Sequence, residues 1–414
     1  MGEIKPPIIF MPKINPEIES FARIKVVGVG GSGTNAVSYM VEAKVQGVEF
    51  IAMNTDAQHL QSSRATKKIH IGKNLTRGLG TGMDPELGRQ AAEESLEDIQ
   101  NVLKGADMVF ISCGLGGGTG TGGAPVVAKI AKDLGALTIG VVTRPFYFEG
   151  KQRKAIAEKG IEEVKKEVDA IISIPNDRLL SLISHDTTCT SAFALCDDVL
   201  KQAVEGISNT ITMPGKINAD FADIRTIMQN SGSALMGVGV ASGDNRAIEA
   251  AKMAISSPLL DVSINGAKGI LFTVAGGDDV TLFELQEAAK IITESVDPEA
   301  KVIFGTVKDD KMKKNEIKIT VIACGFSGDG KKARDDFKII EPPEPKKETP
   351  AKDETVKAKI ETEEKDSKWL NKGTETRPTT ANGLNNPAKD KKDDDYEDDD
   401  WSSIPAFLRR SKTK

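Results

Sequence analysis

The sequence is poor in the residues that build metal centres and histidine-based catalytic sites. Its 414 residues include 4 cysteines and 3 histidines. The cysteines (Cys113, Cys189, Cys196 and Cys324) form no pair at zinc-ligand spacing that is matched by a second pair or by histidines. We therefore predict reduced, buried thiols, no metal site built from protein ligands, and no histidine-based active site.

A basic excess and long apolar runs are also missing. The net charge of −6 argues against a protein that binds nucleic acid. The longest apolar runs, at 108–113 and 137–143, are strand-sized and far shorter than the ~20 residues of a membrane span. Residues 1–20 lack the apolar core of a signal peptide. We expect a cytoplasmic protein without a direct membrane span.

Aromatic residues make up only 5% of a sequence that is 39% hydrophobic, so its cores must consist mainly of Val, Ile, Leu and Ala. The length fits two domains and a tail. The 39 glycines exceed the average share of about 7%, and they are clustered. Clustered glycine indicates backbone that turns tightly or approaches a ligand closely.

Strands and helices alternate in the first half of the sequence. Apolar, β-branched runs predict strands at 23–29, 49–53, 108–112, 137–142 and 170–174. Helical patterns lie between them, at 35–42, 85–103, 124–134 and 152–168. This alternation predicts an α/β fold with a doubly wound parallel sheet in a first domain at 21–190.

A long helix and a second domain follow. Residues 191–213 predict one central helix, because an apolar stripe recurs at spacings of three and four: Cys196, Leu200, Val204, Ile207 and Ile211. Residues 214–326 then predict an α+β domain. Its helices are expected at 222–230 and 246–254, and its strands at 269–274, 301–307 and 317–323.

The two ends of the chain have a different composition. Residues 1–20 carry four prolines and no periodicity, which predicts a flexible arm. Residues 327–395 are dominated by Lys, Glu, Asp, Thr and Pro, so they predict a disordered linker. Apolar residues return in a terminal peptide at 396–414, where Ile404, Phe407 and Leu408 share the spacing of one helical face. From this pattern alone the peptide is either a partner-binding segment or a merely apolar tail.

The first glycine turn has the spacing G-x-G-x-x-G at Gly28, Gly30 and Gly33, between a predicted strand and a predicted helix. A dinucleotide-binding enzyme also needs an acidic residue at the end of the second strand. Glu49 instead begins that strand, which ends in Asn54-Thr55-Asp56. A Rossmann oxidoreductase is therefore a poorly supported alternative.

The second glycine cluster, GLGGGTGTGG at 114–123, follows one predicted strand and precedes a helix. Consecutive glycines place several backbone N–H groups around one anion, and the N-terminus of the helix adds its dipole. Its threonine hydroxyls suit phosphate oxygens or Mg²⁺. The motif G-x-x-x-x-G-K-[ST] is absent, which excludes an ordinary P-loop NTPase.

Residues 116–122, GGGTGTG, resemble the signature of the tubulin/FtsZ family. Further motifs resemble its FtsZ branch, the bacterial cell-division proteins: GVGGSGTNAV at 28–37, NTDAQ at 54–58, TRGLGTG at 76–82, RPFYFEGKQR at 144–153, IPND at 174–177, NADFADIRTIM at 218–228 and SSIPAFLRR at 402–410. The resemblance implies a GTPase that uses GTP/GDP and Mg²⁺ and polymerises with itself into cytokinetic filaments. The alternative on the same fold is a tubulin-like plasmid-partition filament protein.

The resemblance also implies roles for individual residues. The phosphates would be held by Gly31, Ser32, Gly33, Thr34, Asn35, Gly116, Gly117, Gly118, Thr119 and Gly120. Glu149 and Arg153 would contact the ribose, although their spacing alone fits a surface salt bridge. Asn176 would read the guanine edge, Phe193 would stack on the base, and Asp198 would accept from the guanine N–H groups. From pattern alone, Phe193 would be a core residue.

Three polar residues would complete catalysis. The resemblance implies that Asp220 and Asp223 polarise the attacking water, with Asn218 placing it, for nucleotide held by a neighbouring subunit. Hydrolysis would then depend on assembly. From the sequence alone, Asp223 could instead cap a helix or favour its N-terminal dipole. Ser32 and Ala219 depart from the usual family residues without touching the carboxylates.

The terminal peptide implies partners. Its resemblance to the C-terminal peptide of the family predicts docking to membrane-anchor and regulatory division proteins through Ile404, Pro405, Phe407 and Leu408. The linker would tether the peptide to the filament and give it reach. The resemblance places the protein in the cytoplasm at the division site, beneath the inner membrane. No nucleic-acid partner is expected.

Overall fold

The computed structural model describes residues 22–326, apart from residues 181, 182, 184, 185, 214, 216, 218, 258, 261, 262, 278, 310 and 311. The predicted arm at 1–20, the linker at 327–395 and the peptide at 396–414, with Ile404, Pro405, Phe407 and Leu408, lie outside the described residues. Asn218 also lies outside them.

The fold is built on one ten-stranded sheet with the order β3-β2-β1-β4-β5-β6-β7-β10-β8-β9. The strands are β1 Ile24–Val29, β2 Val48–Asn54, β3 Lys67–His70, β4 Met108–Gly114, β5 Leu137–Arg144, β6 Ala170–Pro175, β7 Gly232–Ser242, β8 Gly269–Gly276, β9 Lys301–Lys308 and β10 Glu316–Cys324. The first six strands pair in parallel, as predicted. β7 continues them through a short parallel pairing, and β10 then pairs antiparallel with both β7 and β8.

Helices cover both faces of this sheet. They are α1 Gly30–Glu42, α2 Ala57–Ser62, α3 Lys73–Thr76, α4 Pro85–Glu94, α5 Leu96–Leu103, α6 Thr119–Asp133, α7 Lys151–Glu167, α8 Asn176–Leu179, α9 Cys189–Thr212, α10 Phe221–Met228, α11 Arg246–Ile255 and α12 Leu282–Glu294. All six residues of β1 are buried, as expected of a central strand covered on both sides. No helix in the described part of the chain is long and apolar enough to cross a membrane.

The central helix α9 joins the two halves of the molecule. Cys196, Leu200, Val204 and Ile207 are buried as the stripe predicted, and Ile211 is half-buried. The hydrophobic cluster that contains this stripe takes in residues of β1, β4, β5 and β6 from the first half and of β7, β8 and β10 from the second. The apolar face of α9 is therefore buried against both predicted domains at once.

Element starts differ from the prediction at the glycine-rich segments. α1 begins at Gly30 and α6 at Thr119, so residues predicted as turn already belong to helices. The predicted helix 85–103 is interrupted at Ser95, which has non-helical backbone angles of φ −104° and ψ 22°. Strands β3 and β7 and helices α2, α3, α8 and α12 were not predicted.

Candidate functional site

A cavity of about 510 Å³ opens at the carboxyl ends of the parallel strands. Val29 ends β1, Gly114 ends β4 and Asn176 follows β6, and all three line it. This edge is where open α/β sheets bind ligands. Of the predicted nucleotide residues, those lining the cavity are Gly31, Ser32, Asn35, Gly117, Gly118, Thr119, Gly120, Glu149, Arg153, Asn176 and Phe193.

The first turns of α1 and α6 lie at this cavity. Neither helix has a side chain hydrogen-bonded at its N-cap, and neither has an acidic residue in its first turn. The first N–H groups of a helix have no partner within the helix. Two adjacent, uncapped N-termini therefore leave backbone donors and positive dipole ends for an anion.

The glycines of the second cluster serve two different purposes. A side chain on Gly118 would collide with Thr81, and one on Gly122 would collide with the backbone of Pro85, so these glycines let α6 approach α4 and the preceding loop. Gly117 is different, because a Cβ there would meet no protein atom within 4 Å. Packing does not require glycine at Gly117, and a side chain there would project into open space beside the cavity.

Some predicted phosphate residues support the loops without lining the cavity. Thr34 is buried, and its hydroxyl donates to the carbonyl of Gly30 over 2.7 Å. The N–H of Gly116 donates to the hydroxyl of Thr121 over 3.0 Å. A side chain on Gly33 would collide with the carbonyl of Ser112. These three residues shape the loop backbone.

Apolar side chains of α9, with a few polar groups, also line the cavity. Asn176 is only 5% exposed, and its Oδ1 is buried without a hydrogen-bond partner. A buried amide oxygen without a partner is costly, and a ligand donor would relieve that cost. Phe193 is 41% exposed and meets the ring of Phe146 edge-on at 5.4 Å, so it is not the core residue that its pattern suggests.

Two neighbouring carboxylates on α9 face different surroundings. Asp198 does not line the cavity; it accepts from Lys201 Nζ at 2.7 Å, Gln202 at 2.6 Å and the Tyr39 hydroxyl at 3.1 Å. Burial opposes ionisation of Asp198, but these hydrogen bonds and the charge of Lys201 hold its pKa below the usual value. Asp197 does line the cavity, and burial raises its pKa to about 7.

The signal that distinguishes Asp197 was present in the sequence. Residues four apart share a helix face, so Asp197 faces the same way as Phe193 on α9. Asp198, five residues from Phe193, points away from it. Asp197 and Asp198 are adjacent in the sequence, but they point to different sides of the helix.

Glu149 and Arg153 form an ion pair with 2.9 Å between Oε2 and Nη1. The other carboxylate oxygen of Glu149 accepts from the N–H of Phe146 over 2.9 Å. Both residues line the cavity. The salt bridge predicted from spacing is therefore present, and it holds both side chains at the cavity wall.

Sequence reasoning missed the contributions of two motifs that the resemblance included. His59, next to the NTDAQ motif, and Thr81, in TRGLGTG, both line the cavity. The Thr119 hydroxyl lies 2.8 Å from that of Thr55 and 3.3 Å from that of Thr81. These three buried hydroxyls bring the two motif loops onto the first turn of α6.

Asp220 and Asp223 are exposed and do not line the cavity. Asp220 is the N-cap of α10, where its Oδ1 accepts from the N–H of Ala222 over 3.3 Å. Asp223 occupies the first turn without capping it. From the sequence alone, Asp223 could either cap this helix or favour its N-terminal dipole. The structure shows that Asp220, not Asp223, is the cap. Within the described residues, no three His, Cys, Asp or Glu side chains cluster in a way that could hold a metal ion.

Comparisons with known proteins match this fold. The model described as Tubulin/FtsZ family, GTPase domain, matches residues 23–184, and the model described as FtsZ family, C-terminal domain, matches residues 232–327. An empty FtsZ dimer from M. jannaschii is 45% identical with a TM-score of 0.71, over 73% of this chain and 88% of that one. A mutant of the same FtsZ gives 45% identity and a TM-score of 0.72, over 75% and 92%.

A more distant structure shares the fold. It is a GTPγS-bound protofilament of CetZ2 from Haloferax volcanii, 21% identical with a TM-score of 0.64, over 76% of this chain and 98% of that one. The match to the GTPase domain shows a GTP-binding and GTP-hydrolysing protein of the tubulin-like class, and the uncapped helix ends and glycine loops lie at one edge of its sheet. The chain belongs to the tubulin/FtsZ family and is a cytoskeletal GTPase of its FtsZ branch.

Proposed function

We propose that this GTPase assembles head to tail into the filaments of the division ring, and that each GTP is hydrolysed across the contact between two subunits. One observation carries the proposal. The cavity holds the features that bind a nucleotide, whereas the predicted catalytic carboxylates Asp220 and Asp223 are exposed on α10 and do not line it. A second subunit supplying α10 would complete the site.

The phosphate end of the site is formed by backbone. The first N–H groups of α1 and α6 and the open backbone at Gly117 form a cradle for phosphates. Ser32 and Asn35 add side-chain donors at the same wall. Glu149 and Arg153 bind the ribose, held by their own ion pair.

The base end selects guanine. Asn176 uses its unpartnered Oδ1 to accept from the base, and the exposed ring of Phe193 stacks on it. An acceptor for the N1–H and exocyclic NH₂ of guanine is needed, and adenine lacks this donor pair. Asp197 takes this role in place of Asp198, because Asp197 lines the cavity while Asp198 is occupied by Lys201, Gln202 and Tyr39.

The donor set fits Mg²⁺ held mainly by the nucleotide. Mg²⁺ usually keeps several waters and binds substrate phosphates with few protein ligands. The described residues offer no cluster of acidic ligands, but the hydroxyls of Ser32 and Thr119 lie at the phosphate wall. When bound, Mg²⁺ would neutralise charge on the phosphates.

Hydrolysis needs a positioned water more than covalent help from the protein. Asp220 and Asp223 of the neighbouring subunit accept hydrogen bonds from that water, and Asn218 places it. Asp220 already accepts from a backbone N–H, which orients one of its oxygens. Both carboxylates are exposed, so they can contact a partner without rearrangement of the fold.

Exposed apolar side chains at two places support self-association. Tyr147 and Phe148, in the loop after β5, are 77% and 66% exposed, and Leu282 and Phe283, at the start of α12, are 75% and 79% exposed. Large exposed apolar side chains in adjacent pairs favour a protein contact. The M. jannaschii FtsZ structure, 45% identical, is a dimer.

The predicted peptide at 396–414 would connect these filaments to membrane-anchor and regulatory proteins in the cytoplasm at the division site, beneath the inner membrane. Its SSIPAFLRR sequence supports division over plasmid partition.

Phosphate release and light scattering, recorded together over a range of protein concentrations, test the proposal. We expect hydrolysis of GTP but not ATP, rising with scattering above a critical concentration. Hydrolysis that stays linear in protein concentration, without scattering, would remove the filament mechanism and leave a GTPase that works as a single chain.

Asp223→Ala tests the catalytic half of the site. The variant should bind GTP like the wild type but hydrolyse it at least about 100-fold more slowly, because the attacking water loses its acceptor. Asp98→Ala is the matched control, since Asp98 is an exposed carboxylate in the first turn of α5. Wild-type hydrolysis by Asp223→Ala would contradict this assignment.

A further inference from the structure

A chain of hydrogen bonds ends at the phosphate side of the cavity. The backbone N–H of Asp56 donates to Oδ1 of Asn54 over 3.3 Å. Nδ2 of Asn54 lies 3.5 Å from Nδ1 of His59, and Nε2 of His59 lies 2.8 Å from Oδ1 of Asn35. Asn54 is only 2% exposed, whereas His59 and Asn35 line the cavity.

The chemistry of these groups fixes which atom donates and which accepts in each hydrogen bond. A backbone N–H only donates, so Oδ1 of Asn54 faces Asp56 and its NH₂ faces His59. An amide NH₂ also only donates, so Nδ1 of His59 accepts and the ring proton lies on Nε2. That N–H donates to Oδ1 of Asn35. The NH₂ of Asn35 is then the end of the amide that remains for a ligand.

We infer that His59 is a positioning residue that holds the Asn35 amide with its N–H groups toward the nucleotide phosphates. The inference rests on the proposed phosphate role of Asn35. An exposed asparagine amide without a partner turns freely, and in half of its orientations it presents an oxygen to the anion. His59 removes those orientations before the nucleotide arrives, and so reduces the cost of ordering the site on binding.

His59→Ala tests this role through nucleotide affinity. The dissociation constant for GTP should rise about tenfold, the size of one hydrogen bond to a charged group, because the Asn35 amide loses its orientation. At saturating GTP the rate of hydrolysis should stay within about twofold of wild type, since ground-state binding is what changes. His59→Gln should recover most of the affinity, because a glutamine N–H can donate to Asn35.

The double variant His59→Ala/Asn35→Ala shows whether His59 acts through Asn35. It should bind GTP no more weakly than Asn35→Ala, because the same interaction is already gone. Full additivity of the two losses would overturn the inference, as would unchanged affinity of His59→Ala or failure of His59→Gln to recover it. Gln58→Ala, exposed on the same helix, controls for changes in α2.

Nitrogen NMR of the full chain reports the tautomer of His59 directly. The chain has only 3 histidines, so ¹⁵N-histidine labelling and comparison with His59→Gln assign the signal. We expect the Nε2–H tautomer for His59, and the Nδ1–H tautomer would overturn the inference. Failure of the wild type to bind GTP would contradict the proposed function. The results for the His59 variants test only the positioning role of His59.

Discussion

At the scale of single residues, Asp197 gives the site a pH dependence. Burial raises its pKa to about 7 in the protein without nucleotide, while the proposed contact with guanine needs the ionised carboxylate as acceptor. Below pH 7 binding must therefore displace a proton. GDP affinity, measured by titration calorimetry between pH 6 and 8, should fall by up to about tenfold for each pH unit below 7.

Two matched variants show which carboxylate causes the pH dependence of nucleotide affinity. Asp197→Asn should bind weakly at every pH and lose the slope, whereas Asp198→Asn should keep the slope because its carboxylate does not line the cavity. A flat profile in Asp198→Asn and a retained slope in Asp197→Asn would return the guanine contact to Asp198, as the family resemblance implies.

The same group affects folding stability with a definite sign. A carboxyl group with a raised pKa binds more protons in the folded than in the unfolded protein between its two pKa values, here from about 4 to about 7. Its contribution to the free energy of unfolding is therefore largest at low pH and is lost as the pH rises through 7. In urea unfolding of the nucleotide-free protein, wild type should lose stability relative to Asp197→Asn as the pH rises across this window.

At the scale of elements, β7 shows what the pattern of residues did not reveal. Gly237 and Gly239 lie two residues apart and face α11, and a side chain on either would collide with the helix backbone at Ala254 or Ala250. Glycine lowers strand propensity, so the sequence GSALMGVGVAS gives a weak strand signal. The close approach of α11 explains the glycines.

Gly239→Ala measures this packing. The added methyl group must displace the backbone of α11, so the free energy of unfolding should fall by about 1–3 kcal/mol in urea denaturation. Val240→Ala is the control, because Val240 is 42% exposed on the opposite face of the strand. Its effect should stay within about 0.5 kcal/mol. Equal losses in both variants would mean that α11 yields to the methyl group.

The sequence could predict those parts of the fold whose apolar residues form a clear pattern. Five of the first six parallel strands are apolar runs separated by helices, and these five were found from pattern alone. β3 was not found, because its four residues, KKIH, include a single apolar side chain. The stripe on α9 was found because burial on one face leaves a helical period. At the cavity, the glycine and motif signals pointed to residues that line it, but choosing between Asp197 and Asp198 required the helical phase of α9.

At the scale of the whole molecule, one continuous sheet and the shared core around α9 unite the nucleotide half with the half that bears α10. The cavity and the exposed pair Asp220 and Asp223 are therefore displayed by a single compact unit. In a head-to-tail polymer each subunit would use one of these features toward each neighbour. The site would then be complete only at contacts, which makes turnover a property of the filament.

Mixing two inactive variants tests this arrangement. Gly117→Asp places a carboxylate in the open phosphate space, so it should fold, lose GTP binding and keep Asp223. Asp223→Ala should bind GTP without hydrolysing it. In a 1:1 mixture, roughly a quarter of head-to-tail contacts join a loaded cavity to an intact Asp223, so hydrolysis should recover to roughly a quarter of the wild-type rate. Sedimentation must first show that Gly117→Asp enters the polymer. If it does and the mixture stays inactive, the carboxylate and the nucleotide act within one chain, and assembly regulates the enzyme by some other route.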